Sequence, residues 1–191
     1  MAVTERHPLE PFLPQNARIL MLGSFPPPQV KWSMSFFYPN WINDMWRVIG
    51  LLFFDDRHHF ELNGEKCFDK EAIVEFCTDK GIAMYDTASE VVRLKENASD
   101  KFLEVTTPTD IEALLEKLPQ CTAIVTTGQK ATDTIVERFG CATPEMGGCT
   151  TINIGGRKCN FWRMPSTSRA YPLAIEKKAQ FYMNMFRHER I

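Results

Sequence analysis

Arg18-Ile19-Leu20-Met21-Leu22-Gly23-Ser24-Phe25-Pro26-Pro27-Pro28 begins with an unbroken apolar run and ends on a glycine and three prolines. A short apolar run without polar alternation is the pattern of a strand buried on both faces, as in a parallel sheet. Glycine and proline then impose a tight, stiff loop. Two later segments repeat the pattern: Gly81 to Asp86 and Cys121 to Thr127. Helical periods separate them. From Asn43 to Phe54 the apolar positions are Met45, Trp46, Ile49, Leu52 and Phe53, with Asn43 or Asp44 as N-cap. Further helices are predicted from Phe68 to Lys80, Pro108 to Leu118, Gly128 to Phe139 and Leu173 to Arg190. Thr150 to Ile154 and Lys158 to Met164, joined by Gly155-Gly156-Arg157, form a hairpin pattern. Pro8, Pro11 and Pro14 keep the first segment extended. Strands alternating with helices predict a three-layer α/β/α fold around a mainly parallel sheet. With no internal repeat or linker, residues 1–191 are read as one domain.

In such sheets the ligand crevice lies beyond the carboxyl ends of the strands. That rule selects Gly23-Ser24-Phe25-Pro26, Asp86-Thr87, Gly128 and Met164 to Arg169 as candidate site segments.

Composition narrows the classes. Hydrophobic residues make up 44% of the 191 and charged residues 24%, which is globular rather than disordered. Every apolar run is interrupted well short of a membrane span. The first residues hold no signal-like apolar stretch, so the cytoplasm is the expected compartment. None of the six cysteines forms a C-x2-C pair, so reduced thiols are expected and no metal site. His58-His59 is read as a solvated helix end. The net charge of −2 argues against nucleic acid, but its distribution does not. Pro11 to Asn43 and Met146 to Ile175 are the two longest stretches without Asp or Glu. They carry Arg18, Lys31, Arg157, Lys158, Arg163 and Arg169, leaving 16 basic against 24 acidic residues elsewhere. Brought together, they would make a positive face on an acidic body, as phosphate binding requires.

The stiff loop is followed by Trp32, Phe36, Phe37, Tyr38 and Trp41. Most of these must be core; one or two facing the crevice could stack on an extruded base. The ordered series Leu-Gly-Ser-Phe-Pro, Phe-Phe-Tyr-Pro-Asn-Trp-Ile-Asn-Asp-Met-Trp, Gly-Ile-Ala-Met-Tyr-Asp, Thr-Gly-Gln-Lys-Ala and Met-Pro-Ser-Thr-Ser resembles the uracil-DNA glycosylase superfamily. Within it the chain is most similar to the hypoxanthine-DNA (deoxyinosine) branch and, more distantly, to the mismatch-specific uracil glycosylases. The likeness spans Arg18 to the C-terminal helix.

The resemblance implies a DNA glycosylase of base-excision repair, acting on uracil or hypoxanthine in damaged or mismatched DNA, without cofactor and as a monomer. Where many branches hold a water-positioning Asp or Asn, this chain has Phe25. The hypoxanthine branch uses an Asn that corresponds to Asn43, which could hold a water but accept no proton. A simple helix cap is the other reading of Asn43, and Asp44 is the fallback catalytic carboxylate. The implied base pocket comprises Ser24, Phe25, Phe37, Tyr38 and Asp86. Implied DNA contacts are Gly128 and Lys130 at a helix start, and Ser166, Thr167, Ser168 and Arg169, with Arg169 as the wedge that fills the gap left by a flipped nucleotide. Met164 stands where relatives carry His or Asn. Lys31 is the only amine expected near these motifs, which implies a monofunctional enzyme. The alternatives are a non-catalytic nucleic-acid-binding relative of the same fold and a small-molecule α/β enzyme.

Overall fold

The computed structural model describes residues 3–94 and 102–191. Its strands are β1 (Thr4–Arg6), β2 (Ile19–Gly23), β3 (Ile82–Asp86), β4 (Ala88–Arg93), β5 (Leu103–Pro108), β6 (Ala123–Thr127), β7 (Cys149–Ile154) and β8 (Arg157–Met164). Its α-helices are α1 (Met45–Phe54), α2 (Lys70–Lys80), α3 (Ile111–Glu116), α4 (Gln129–Phe139) and α5 (Ile175–Glu189).

A five-stranded sheet of order β3-β2-β6-β8-β7 forms the centre, flanked by helices. All its pairs are parallel except β7 with β8. Strands β2, β3 and β6 are buried along their whole length, which is why they carry uniform apolar runs. The expected α/β architecture is the observed one. The helices start where local chemistry starts them. Asp69 and Asp110 accept hydrogen bonds from Ala72 N and Ala113 N at 3.0 and 3.1 Å. Pro108, expected to open a helix, instead ends β5, because the cap that nucleates α3 is Asp110.

A second sheet, β1-β4-β5, is antiparallel and was not expected from the sequence. β1 spans only three residues and has no periodicity of its own. Its place is set by long-range partners: Glu5 to Arg93 at 3.0 Å and Glu90 to Arg6 at 2.9 Å. Phe25, Ala88, Val91 and Leu103 form a small apolar cluster on this sheet.

The strand order positions the site. From β2 the chain crosses to β3 on one side and later to β6 on the other, so the winding reverses at β2. Loops leaving β2 and β6 therefore diverge and leave a crevice. In register, Gly23 lies beside Asp86, and Thr127 beside Met164.

Phe161 is fully buried on β8, opposite Ile124. Phe161→Ala should lower unfolding stability by about 3–5 kcal/mol, read as a fall in the denaturant midpoint. Burial also pushes the Cys77 and Cys121 thiols up, the latter to about 12. Thiolate is the reactive form, so both stay protonated and inert at pH values well below this. A thiol reagent on the native protein should modify exposed Cys149 first and reach Cys77 and Cys121 only on unfolding.

Candidate nucleotide-binding cleft

The β2, β3, β6 and β8 ends open on one cleft of about 870 Å³. That is within the roughly 300–1,000 Å³ typical of small-ligand sites. Gly23, Ser24, Phe25, Tyr38, Asn43, Asp86, Gly128, Lys130, Ser166, Thr167 and Ser168 all line it. The proline-stiffened turn and the serine-rich turn thus face the same space.

Backbone and side-chain bonds lock these walls together. Thr87 N donates to Gly23 O at 2.8 Å, and Gly128 N to Met164 O at 3.0 Å. Gly128 has φ +94°, and Ser166 Cβ stands 3.5 Å from where its own Cβ would be. A side chain here would be strained by the backbone, so glycine sets the close approach of the two turns. Tyr38, at φ 51°, bonds through its hydroxyl to Thr127 Oγ1 at 2.8 Å. Phe25 does not plug the cleft, because its ring packs into the β4/β5 cluster.

Asn43 lies on the cleft, and its Oδ1 accepts from Met45 N at 2.9 Å. From the position before the N-cap, Asp44, one lone pair thus satisfies the first N–H of α1 and fixes the amide plane, while Nδ2 has no partner among the described residues. Both readings of Asn43 are thus compatible with one geometry. Asp44 is different. Its carboxylate is buried and is not part of the cleft lining. Oδ1 accepts from Arg169 Nε at 2.9 Å, Oδ2 from Lys178 Nζ at 3.4 Å, and Arg47 Nη1 lies 3.9 Å from Oδ1. A carboxylate surrounded by cations and shielded from the cleft is a bracket, which removes the ground for the fallback role. Asp44 N also donates to Thr167 O at 2.9 Å, and Lys178 Nζ to Ser168 O at 2.9 Å.

Arg169 is tied to the same bracket through Nε, with 44% of its side chain exposed between the cleft-lining residues Ser168 and Ala170. Among the cleft-lining residues Ile42 is a well-exposed large apolar side chain, at 57%, on a turn braced by Asn40 Oδ1 accepting from Ile42 N at 3.1 Å. Phe37 packs in the core beside Phe36 and Tyr85 and does not line the cleft. Met164 is fully buried.

The positive face is smaller than expected. Arg157 and Lys158 open β8 and so sit about six residues, roughly 20 Å, from the end that faces the cleft. Arg157 instead holds the end of α3, donating to Leu115 O and Leu118 O at 3.0 and 2.8 Å. Arg18 caps α5 through Glu189 O and Arg190 O. Lys130 and Arg163 are the cations on the cleft, with Arg163 held by Gln129 and Pro144 O. Lys31 does not line it, so the amine at the cleft is Lys130 rather than Lys31.

Sequence reasoning missed His7, whose Nε2 lies 2.8 Å from Asp86 Oδ2. It also missed Tyr171 and Asp133, both on the cleft. No short motif marks them; only the fold brings them there.

No protein-family model matches the chain, and no curated protein matches its sequence. Among solved structures it is similar to the solution NMR structure of a protein from Methanosarcina acetivorans, provisionally named a uracil DNA glycosylase. The TM-score is 0.62 at 21% identity, over 99% of this chain and 100% of that one. The two share one fold. At this identity the likeness establishes architecture, and the arrangement of the cleft must carry the chemistry.

Asp44→Ala would leave the Lys178 ammonium, 1% exposed, with a carbonyl as its main partner. A stability loss of about 3–5 kcal/mol is expected, as for other broken buried ion pairs. Equilibrium denaturation measures it.

Proposed function

We propose that the protein is a monofunctional DNA glycosylase that removes a deaminated base, uracil or hypoxanthine, from DNA. The observation that carries this reading is the convergence of the Gly23–Pro26, Gly128–Lys130 and Ser166–Ser168 segments on one open cleft of about 870 Å³. Such a cleft accepts one unstacked nucleotide. The shared fold with a protein named as a uracil DNA glycosylase supports the same reading.

The chemistry follows from what lines the cleft. Asn43 is no base, so the bond breaks by a dissociative route. The C1′–N electron pair leaves with the base, and the sugar becomes an oxocarbenium-like cation. Water then adds to C1′ and loses a proton to solvent. The fixed amide of Asn43, with one lone pair on Oδ1 and the Nδ2 donors remaining, holds that water. Buried Met164 offers the leaving base no polar contact. Tyr38 and Tyr171 supply faces for stacking. Lys130 and the backbone N–H groups at the start of α4 suit a phosphate. Ile42 takes the wedge role, since an apolar side chain on a braced turn can replace the extruded base in the stack.

Duplexes carrying one uracil or one hypoxanthine, treated with alkali after incubation, test the assignment. Strand cleavage at the lesion is expected. DNA binding without cleavage would favour a non-catalytic relative, and binding indifferent to salt would exclude both. With few cleft cations, log K should fall against log salt with a slope of about −2 to −4. Asn43→Ser retains an oxygen for the first N–H of α1 but loses the amide, and should slow release by about 10²- to 10³-fold with little loss of stability. Ile42→Ala should lose more activity on a paired duplex than on single-stranded DNA, where no stack has to be refilled. Borohydride should trap no covalent complex through Lys130.

A further inference from the structure

His7 follows β1, and its side chain is buried, 2% exposed. Its ring lies against Tyr85 at 4.5 Å between centroids and meets the edge of Phe25 at 5.3 Å. Nε2 is 2.8 Å from Asp86 Oδ2. A carboxylate oxygen accepts, so Nε2 carries the hydrogen. Leu9 N lies 3.2 Å and Leu9 O 3.0 Å from Nδ1, so the backbone can satisfy that nitrogen with or without a proton. His7 therefore presents a donor to Asp86 in either state.

Asp86 itself ends β3, with 10% of its side chain exposed, and lines the cleft. His7 occupies Oδ2. Oδ1 has no hydrogen-bond partner among the described residues and rests against Gly23, where any Cβ would overlap it. One oxygen of a largely buried carboxylate is thus clamped and the other is left at the cleft, as an acceptor with nothing to accept from.

We propose that His7 is the positioning residue that fixes Asp86, already expected to contact the base, as a hydrogen-bond acceptor of one orientation in the cleft, so that the preference for a ring N–H depends on His7. The inference rests on the glycosylase reading and gives it a basis for choosing substrates. Adenine N1 and cytosine N3 are lone pairs. Deamination converts each to an N–H, in hypoxanthine and uracil. A fixed carboxylate bonds to the deaminated form and is repelled by the lone pair of the parent base. Guanine and thymine also carry a ring N–H, so this contact separates deaminated bases from their amino parents and not from those two. His7 is a positioning residue; Asp86 is the specificity contact.

The probes are two duplexes with a 2′-fluoro sugar at the test position, which resists base loss by destabilising the oxocarbenium-like cation: one bears hypoxanthine, the other its isostere in which C–H replaces the N1–H. Equilibrium binding, not turnover, is measured, so the result stands apart from whether the base is released. Wild type should bind the isostere about 10- to 100-fold more weakly, the size expected for losing a hydrogen bond to a charged acceptor. Asp86→Asn should turn its carbonyl to His7 Nε2–H and its amide N–H2 to the cleft. The preference for hypoxanthine over adenine should then narrow or invert. His7→Ala should lose most of the N–H preference, and His7→Gln, whose amide can still donate to Oδ2, should restore much of it. Equal binding of the two probes by wild type would overturn the inference. So would a His7→Ala protein that is less stable but keeps the full preference, since that marks His7 as packing alone. Absence of base release with the N–H preference intact would instead count against the glycosylase reading.

Discussion

The buried carboxylate of Asp44 decides the shape of the cleft. It joins three segments far apart in sequence: the turn before α1, the serine-rich turn at Arg169, and α5 through Lys178. Removing a carboxylate and an ammonium from water costs several kcal/mol each, so the arrangement is poor evidence for net stability. What it provides is position. An apolar substitute could fill the same volume, but it would not dictate how far Thr167 and Ser168 stand from Asn43. A bridge pairs Asn43 with Ser168 directly. The spacing of the Asn43 turn and the serine-rich turn is therefore set by charge pairing behind them.

The sheet supplies the other constraint. Reversal of winding at β2 leaves a gap that no side chain from the sheet fills, and the strand ends deliver Gly23, Asp86 and Thr127 to its floor. The small antiparallel sheet then does two things for that floor. It takes up the Phe25 ring and keeps it from blocking the cleft, and it delivers His7 to Asp86. A segment outside the central sheet thereby governs the polarity of the site.

Much of the architecture was legible in the residue pattern. Uniform apolar runs identified β2, β3 and β6 because burial on both faces leaves no room for alternation. Gly155-Gly156 marked the β7/β8 hairpin through its turn chemistry. The rule that ligands gather at strand ends selected Gly23 to Pro26, Asp86-Thr87, Gly128 and Met164 to Arg169; all of these line the cleft except Thr87, Met164, Pro165 and Arg169. What stayed hidden was long-range. β1 is too short to show a period, and its partners lie more than 80 residues away. His7 has no local signal for the same reason. Arg18 and Arg157 were counted toward a positive face because charge runs do not reveal which end of a strand they occupy; both instead bind helix-end carbonyls. Asp44 and Arg169 each looked functional alone, and only their pairing explains why neither lines the cleft.

The account stands on the cleft receiving an extruded nucleotide. Its most direct test is the amide NMR spectrum of the protein titrated with a duplex that holds a stable abasic-site analogue. Resonances of Gly23 to Phe25, Asp86, Gly128 to Lys130 and Ser166 to Ser168 should shift together at one stoichiometric end point. Shifts confined to the far end of the sheet, around Arg157 and Lys158, or to the outer strands β1 and β5, would contradict it.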